Sequence, residues 1–378
     1  MSNFESDFIS DFRIGFIGFG LIGGSIARAL KKINPNYYLI AYDYHQNKPS
    51  ADLQAALNDQ VLNQVTNKLS EGFPECDLVF LCAPVLSNIE YIKQLKPLLK
   101  PGCILTDVGS VKTNIHEAVR ELGLEAQFIG GHPMTGSEKT GYANSYALLL
   151  ENAYYILTPT DYTPEFMTQT MYQLVQRMGS LPIILKAREH DKITAAISHV
   201  PHIIAAQLVN LVRESDDDSE KMRALAAGGF KDITRIASSS PVMWQNICLT
   251  NANEIKECLD SYIESLRVAS EALSEKNGDF LYQMFDDAGE YRSTIPNKSI
   301  GLMKKLFEVY LDIVDEAGAI ATIATLLASN QISIKNIGII HNREFEEGVL
   351  RIEFYDEAAQ QKATAMLGRY NYRIYERN

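Results

Sequence analysis

The stretch Arg13-Ile14-Gly15-Phe16-Ile17-Gly18-Phe19-Gly20-Leu21-Ile22-Gly23-Gly24-Ser25 decides how the rest of the chain is read. Residues 13–17 form an apolar run of strand length, and residues 21–32 continue as an apolar helix. Between them Gly18, Gly20 and Gly23 fall on the G-x-G-x-x-G spacing. The first glycine permits a tight turn out of the strand, the second lets a pyrophosphate approach the backbone, and the third lets helix and strand pack closely. The first helical turn, with Leu21 and Ile22, offers N–H groups and a positive dipole end to phosphate. A second strand-like run, residues 37–42, ends at Asp43, 25 positions after Gly18. That is near the usual offset of an acid that accepts hydrogen bonds from ribose hydroxyls. The pattern predicts a dinucleotide-binding unit; the plainer alternative is a strand–turn–helix whose glycines serve packing alone. Asp43 also repels a 2′-phosphate, and Lys48 is the one nearby cation. NAD is therefore expected rather than NADP.

The 378 residues exceed one ordinary domain, so two or three are expected. Apolar residues make up 46% and charged residues 22%, as in a globular protein, and the net charge of −12 argues against nucleic acid as a partner. No run approaches the ~18 consecutive apolar residues of a membrane span, and residues 1–11 lack the basic-then-apolar layout of a secretion signal. The five cysteines, Cys76, Cys82, Cys103, Cys248 and Cys258, show no metal-ligand spacing and read as reduced thiols of a cytoplasmic protein.

From residue 13 to about 187 the chain alternates strand-like and helix-like stretches. The strands expected are residues 77–84, 103–108, 128–133, 153–159 and 182–186, with amphipathic helices at 87–99 and 113–122. Continuous apolar strands suit a sheet covered on both faces, so the fold class is α/β, a doubly wound parallel sheet of Rossmann type. Asp43, Pro84, Ser110 and His132 each close a strand and should share one rim, where such sheets bind ligands. Residues 188–301 lose the strand signal and read as an all-helical domain, with helices over 189–213, 219–227, 241–275 and 278–292. From residue 302 to 378 the pattern is βαββαβ, beginning with the alternation Phe307, Val309, Leu311, Ile313.

Three histidines stand out among seven. His132 lies in G-G-H-P-M-T-G-S-E, where glycine before it and proline after it fix a turn that exposes the imidazole to the cleft. An unperturbed pKa near ~6.5 lets it take a proton at neutral pH; the bland alternative is a histidine capping a turn. His199 and His202, in S-H-V-P-H, are three apart and share a helix face, though Pro201 perturbs the turn. No acidic or cysteine partner supports a metal there, so one is assigned to substrate contact and the other to structural hydrogen bonding. Ser110, in D-V-G-S-V-K, can orient a catalytic imidazole, and a serine before a helix is also a good N-cap. In G-G-F-K-D-I-T-R-I-A, Gly228-Gly229 breaks a helix, and Lys231 and Arg235 stand one turn apart as a cationic pair suited to an anionic substrate. A surface salt bridge with Asp232 is the alternative. Trp244, the single tryptophan, suits the core or a subunit interface.

These strings in their order, G-F-G-L-I-G-G-S, D-V-G-S-V-K, G-G-H-P-M-T-G-S-E, I-S-H-V-P-H and G-F-K-D-I-T-R-I-A followed by P-V-M-W, resemble the prephenate dehydrogenase family over nearly the whole chain. The run E-A-G-A-I-A-T-I-A-T-L-L-A-S-N-Q-I-S-I resembles an ACT domain, with Ala317-Gly318 where such domains usually carry Pro-Gly. The resemblance implies that NAD takes a hydride from C4 of prephenate while CO2 leaves and the ring aromatises to 4-hydroxyphenylpyruvate. It implies that His132 accepts the C4 hydroxyl proton, that Ser110 orients His132 and the nicotinamide, that Arg235 binds a substrate carboxylate and that His202 lies near the substrate side chain. Glu138 and Lys231 match a gating or binding network. The helical domain is implied to form a homodimer through which Trp244 reaches the partner's site, and tyrosine is the implied effector. The dozen residues before the first strand leave no room for a chorismate mutase domain. Rival readings are an arogenate (cyclohexadienyl) dehydrogenase, a 3-hydroxyacid dehydrogenase, and a dinucleotide-binding amino-acid sensor without turnover.

Overall fold

The computed structural model describes residues 12–44, 49–136, 139–217, 219–295, 307–313, 316, 318–340, 348–370 and 372–375. The chain divides into two compact units, Met1–Gly301 and Leu302–Asn378.

The first unit opens with β1 (Arg13–Ile17), α1 (Leu21–Ile33), β2 (Tyr38–Tyr42), α2 (Ala51–Asn58), β3 (Gln64–Thr66), β4 (Leu78–Leu81), α3 (Val85–Leu95), β5 (Ile104–Asp107), α4 (Thr113–Glu121), β6 (Phe128–Pro133), β7 (Tyr154–Pro159), α5 (Glu165–Arg177) and β8 (Leu181–Ile184). The sheet order is β3-β2-β1-β4-β5-β6-β7-β8, the Rossmann order with two strands added at one edge. Both faces are covered: Ile14, Phe16 and Phe80 belong to one apolar core, and Ile17, Val79, Leu81 and Leu105 to the other. This two-sided burial explains why these strands read as unbroken apolar runs rather than alternations.

The sheet departs from the expected pattern in two places. The three-residue β3 was too short to leave a periodic signal. β7 runs antiparallel to β6, with His132 opposite Ile156, so the sheet is not parallel throughout. A parallel return needs a crossover, usually a helix. Between β6 and β7 there are instead two short 3₁₀ turns, Tyr142–Asn144 and Ala147–Leu150. This connection packs on α1: Tyr142 stacks on Phe19 with centroids 5.5 Å apart, and the Tyr146 N–H donates to Ser25 Oγ at 3.1 Å.

The rest of the unit is helical: α6 (Ala187–Thr194), a π turn (Ala195–His199), α7 (Val200–Ser215), α8 (Lys221–Leu225), α9 (Gly228–Thr234), α10 (Pro241–Thr250), α11 (Ala252–Ser274) and α12 (Gly278–Thr294). The helix expected over 241–275 is broken at Asn251 (φ −116°, ψ 30°). Gly228 and Gly229 begin α9 rather than interrupt a helix, the break falling just before them. The π turn ends two residues before Pro201, which has no N–H for the i−4 carbonyl, so the ladder changes register there. The span Ala187–Ser215 is long and apolar enough, by length and composition, to cross a membrane. It nevertheless carries His190, Asp191, Thr194 and His199 buried in the protein. Leu249, Tyr282, Phe285 and Tyr291 are each at least two-thirds exposed on the later helices.

The second unit comprises β9 (Phe307–Ile313), α13 (Ala319–Ser329), β10 (Ile334–Ile340), β11 (Gly348–Phe354), α14 (Glu357–Arg369) and β12 (Ile374–Tyr375). Its antiparallel sheet has the order β10-β11-β9-β12. Val309, Leu311 and Ile313 point inward from β9 and pack with Ile323, Leu327, Leu350, Ile352 and Leu367. Gly318 caps α13 with φ +97°, a conformation that favours glycine; Ala317 lies outside the described residues.

Candidate active site

The site is built on the carboxyl ends of β1, β2, β4, β5 and β6, which run parallel and so finish along one edge. Gly18 leaves β1 with φ +84°, and a Cβ there would lie 2.6 Å from the Cys82 and Ala83 backbone, so both conformation and space require glycine. Gly20 is the N-cap of α1 and supplies no side chain to the first-turn N–H groups. A Cβ at Gly20 would meet nothing within 4 Å, which leaves the backbone open to a ligand. Leu21 and Ile22 form the first turn, and Gly23 packs against the Gly18 carbonyl. Asp43 follows β2, is 4% exposed, and accepts the Ser50 N–H at 2.6 Å. Pro84 follows β4 as the N-cap of α3. An open helix N-terminus and an acid at the end of β2 fit a dinucleotide: the first suits the pyrophosphate and the second the ribose.

Ser110 lies in the half-buried loop after β5 and is not the N-cap of α4. That helix begins at Thr113 with Lys112 at the cap position. The Lys112 and Thr113 N–H groups donate to the two carboxylate oxygens of Asp191, each at 2.7 Å, so the cap comes from α6. Lys112 is itself fully buried. Its ammonium pairs with Asp107 and donates to the Gly131 carbonyl at 2.7 Å, while Asp107 accepts the Gly109 N–H at 2.8 Å and the Gly131 N–H at 3.2 Å. This ion pair fixes the backbone immediately before His132. A Cβ at Gly131 would lie 2.5 Å from the Asp107 carbonyl, so only glycine allows β6 to approach β5 so closely.

His132 is the penultimate residue of β6, and its Nδ1 lies 2.8 Å from His190 Nε2. His190 Nδ1 lies 2.8 Å from Asp191 Oδ1. Burial pushes His132 well below the ordinary 6.5, and nearby His190, Lys112 and His199 push the same way. Burial also lowers His190, opposed by its bond to Asp191. Both rings are thereby kept neutral near pH 7.

The string of contacts continues into the helical part. Asn251 Nδ2 donates to the Asp191 carbonyl at 2.9 Å and to His199 Nδ1 at 3.1 Å. His199 meets Trp244 edge-on at 6.0 Å, and Trp244 stacks on His202 at 3.7 Å. His202 Nδ1–H donates to the Ser198 carbonyl at 2.8 Å. Burial lowers His202, the Ser198 bond opposes this, and the Arg235 guanidinium adds to the lowering. Arg235 is exposed and opens the 3₁₀ turn that follows α9, while Lys231 is exposed on α9 itself. His132, His199 and His202 are therefore linked through His190, Asp191, Asn251 and Trp244, and the charge of Arg235 is felt at His202. Glu138 lies outside the described residues, as does Lys48. Among the described residues no cluster of three or more His, Cys, Asp or Glu could hold a metal.

The sequence reading missed His190, Asp191, Asn251 and the Lys112–Asp107 pair. A signal existed for two of them. In A-R-E-H-D-K-I-T the residues that face inward are His190, Asp191 and Thr194, polar groups on the buried stripe of a helix. Such groups must find partners within the protein.

Two family models match the chain, "Prephenate dehydrogenase, nucleotide-binding domain" over residues 26–183 and "Prephenate dehydrogenase, dimerization domain" over residues 186–287. A prephenate dehydrogenase of Bacillus subtilis is 35% identical over 92% of this chain and 93% of its own length. A cyclohexadienyl dehydrogenase of Zymomonas mobilis is 32% identical over 74% of this chain and 94% of its own. The crystal structure of a prephenate dehydrogenase from Aquifex aeolicus, in complex with hydroxyphenyl propionate and NAD+, superimposes with a TM-score of 0.71 at 27% identity. That likeness covers 77% of this chain and all of the other.

Proposed function

Because the chain belongs to the prephenate dehydrogenase family, we propose that it carries out the NAD-dependent oxidative decarboxylation of prephenate to 4-hydroxyphenylpyruvate. The observation that carries this reading is the string of contacts from His132, at the rim of the nucleotide fold, to His202 in the helical part, where the charge of Arg235 is felt. A reaction that takes a hydride from C4 and a proton from the hydroxyl on C4 of a dianion needs a proton acceptor at that hydroxyl and a cation for a carboxylate.

Bound NAD supplies the hydride acceptor. The His132 imidazole, neutral near pH 7, accepts the proton of the C4 hydroxyl as the C4–H bond is lost. Breaking the C1–carboxylate bond releases CO2 and sends its electron pair into the ring. The oxygen on C4 then takes the proton back from His132, so the protein ends as it began. The Arg235 fork holds a substrate carboxylate, with Lys231 adding positive charge. His202, stacked on Trp244, lines the side-chain end, and Ser110 completes the pocket. The acid Asp43 favours NAD over a 2′-phosphorylated cofactor.

The helical part forms the contact of a homodimer, an assignment supported by its family description and by the exposed Leu249, Tyr282, Phe285 and Tyr291. The second unit is an ACT module whose effector is tyrosine. The five free cysteines suit the cytoplasm. A cyclohexadienyl reading, in which arogenate is also accepted, is favoured by the Zymomonas relative. The test is NADH formation on mixing the protein with NAD and either prephenate or arogenate, with and without tyrosine. Turnover of prephenate is expected. No NADH from either substrate would remove the assignment.

A further inference from the structure

The hydrogen-bond pattern around Asp191 has only one consistent set of donors. Its Oδ1 receives the Lys112 N–H and its Oδ2 the Thr113 N–H, both at 2.7 Å, and a backbone N–H can only donate. The carboxylate is therefore an acceptor toward all its neighbours, and burial does not keep it protonated: the bonds it accepts hold Asp191 below the usual carboxylate range. His190 Nδ1, 2.8 Å from Oδ1, must then carry a proton. A neutral imidazole with its proton on Nδ1 presents a lone pair at Nε2. That lone pair lies 2.8 Å from His132 Nδ1, which must in turn be the donor. His132 is left with its lone pair on Nε2.

We propose that His190 and Asp191 are positioning residues that hold His132 in the Nδ1–H tautomer, so that Nε2 is always the basic nitrogen offered to the substrate hydroxyl. This rests on the functional reading above and deepens it. When His132 takes the substrate proton on Nε2, its Nδ1–H already has an acceptor in His190, and the Asp191 carboxylate lies beyond to offset the positive charge. The charged or titratable groups that bear on the two rings are Lys112 and Asp107 from the sheet side and Asp191 and His199 from the helical side. His116 lies on α4, which packs on the same strand. Neither His190 nor Asp191 needs to touch substrate.

The test compares His190→Leu with His190→Gln in the full-length protein. Leucine fills the space and accepts nothing, whereas the glutamine carbonyl can still accept the His132 Nδ1–H. Leucine is expected to lower kcat roughly tenfold to a hundredfold, less than the ~10²–10⁴-fold of losing the general base itself, with the KM values for prephenate and NAD moving less than threefold. Glutamine is expected to recover most of the loss. A nitrogen-15 spectrum of histidine-labelled wild type, with the His132 signals identified by their absence in His132→Asn, is expected to show a protonated Nδ1 and an unprotonated Nε2. Equal losses in both variants, no loss in either, a loss confined to KM, or an Nε2–H signal for His132 would overturn the proposal. The spectrum needs no turnover. It therefore tests the tautomer even if prephenate proves not to be the substrate, and a wild type that turns over prephenate beside unaffected variants would sink this proposal alone.

Discussion

Acidification from pH 7.5 to 5 should destabilise the first unit, and His116 provides a way to measure the effect one histidine at a time. Its Nε2 lies 2.9 Å from Thr158 Oγ1, and its ring meets Phe128 edge-on at 5.2 Å. Burial pushes it from the ordinary 6.5 down to about 4, with the Lys112 ammonium adding to the effect. The folded value lies below the unfolded one, so between the two it is the unfolded chain that holds the extra proton. Stability is then fully present above ~6.5 and is lost as pH falls toward the folded value. At pH 5 a shift from ~6.5 to ~4 corresponds to about 2 kcal/mol lost relative to pH 7.5. His116→Gln keeps a partner for Thr158 and cannot titrate. The gap in stability between wild type and variant should therefore change by about 2 kcal/mol over this range, in favour of the variant at pH 5. For a unit of this length, at ~2.1 cal/mol/K per residue, that is about 3 °C in melting temperature. Scanning calorimetry of both proteins at pH 5, 6 and 7.5 reads it directly, and the difference between them cancels every other titration. Melting temperatures that fall in parallel would refute the burial argument for His116. His199, pushed to about 4 by the same cause, should behave alike.

Three further outcomes are expected. His132→Asn should lower kcat by about 10²–10⁴-fold with little change in KM. The acid limb of wild-type kcat should fall below the ordinary 6.5, because burial pushes His132 down and only its neutral form accepts a proton; an activity within threefold of wild type would remove His132 from the chemistry. Arg235→Ala should raise KM for prephenate about tenfold to a hundredfold, the equivalent of a charge-assisted bond of about 1.5–3 kcal/mol. An unchanged KM would return Arg235 to a surface role. Removing residues 302–378, which form a separate compact unit, should abolish any response to tyrosine while NADH formation persists; retained inhibition would place tyrosine in the active site.

The features legible in the sequence are those whose causes are local. The glycine spacing after β1 reports a turn that only glycine can make, and the apolar runs of β1, β4 and β5 report burial on two faces. In the second unit the alternation along β9 reports burial on one. The direction of β7 was not legible, since it depends on a connection that packs on α1 instead of forming a crossover helix. Ser110 looked like a cap because serine often is one. The cap comes from Asp191, 79 positions after Lys112, and no local window contains both. His132 could be singled out from the glycines and proline around it, but its partner could not. His190 touches it only because β6 and α6 meet in space, and that meeting is a property of the folded chain.

Asp191 does two jobs with one side chain: it caps the start of α4 in the nucleotide-binding part while standing, from the helical part, behind the His132–His190 pair. Any rearrangement that drew α6 away from β6 would therefore uncap α4 and release the base from its enforced orientation together. Readiness for proton transfer and the start of that helix thus stand or fall on one carboxylate.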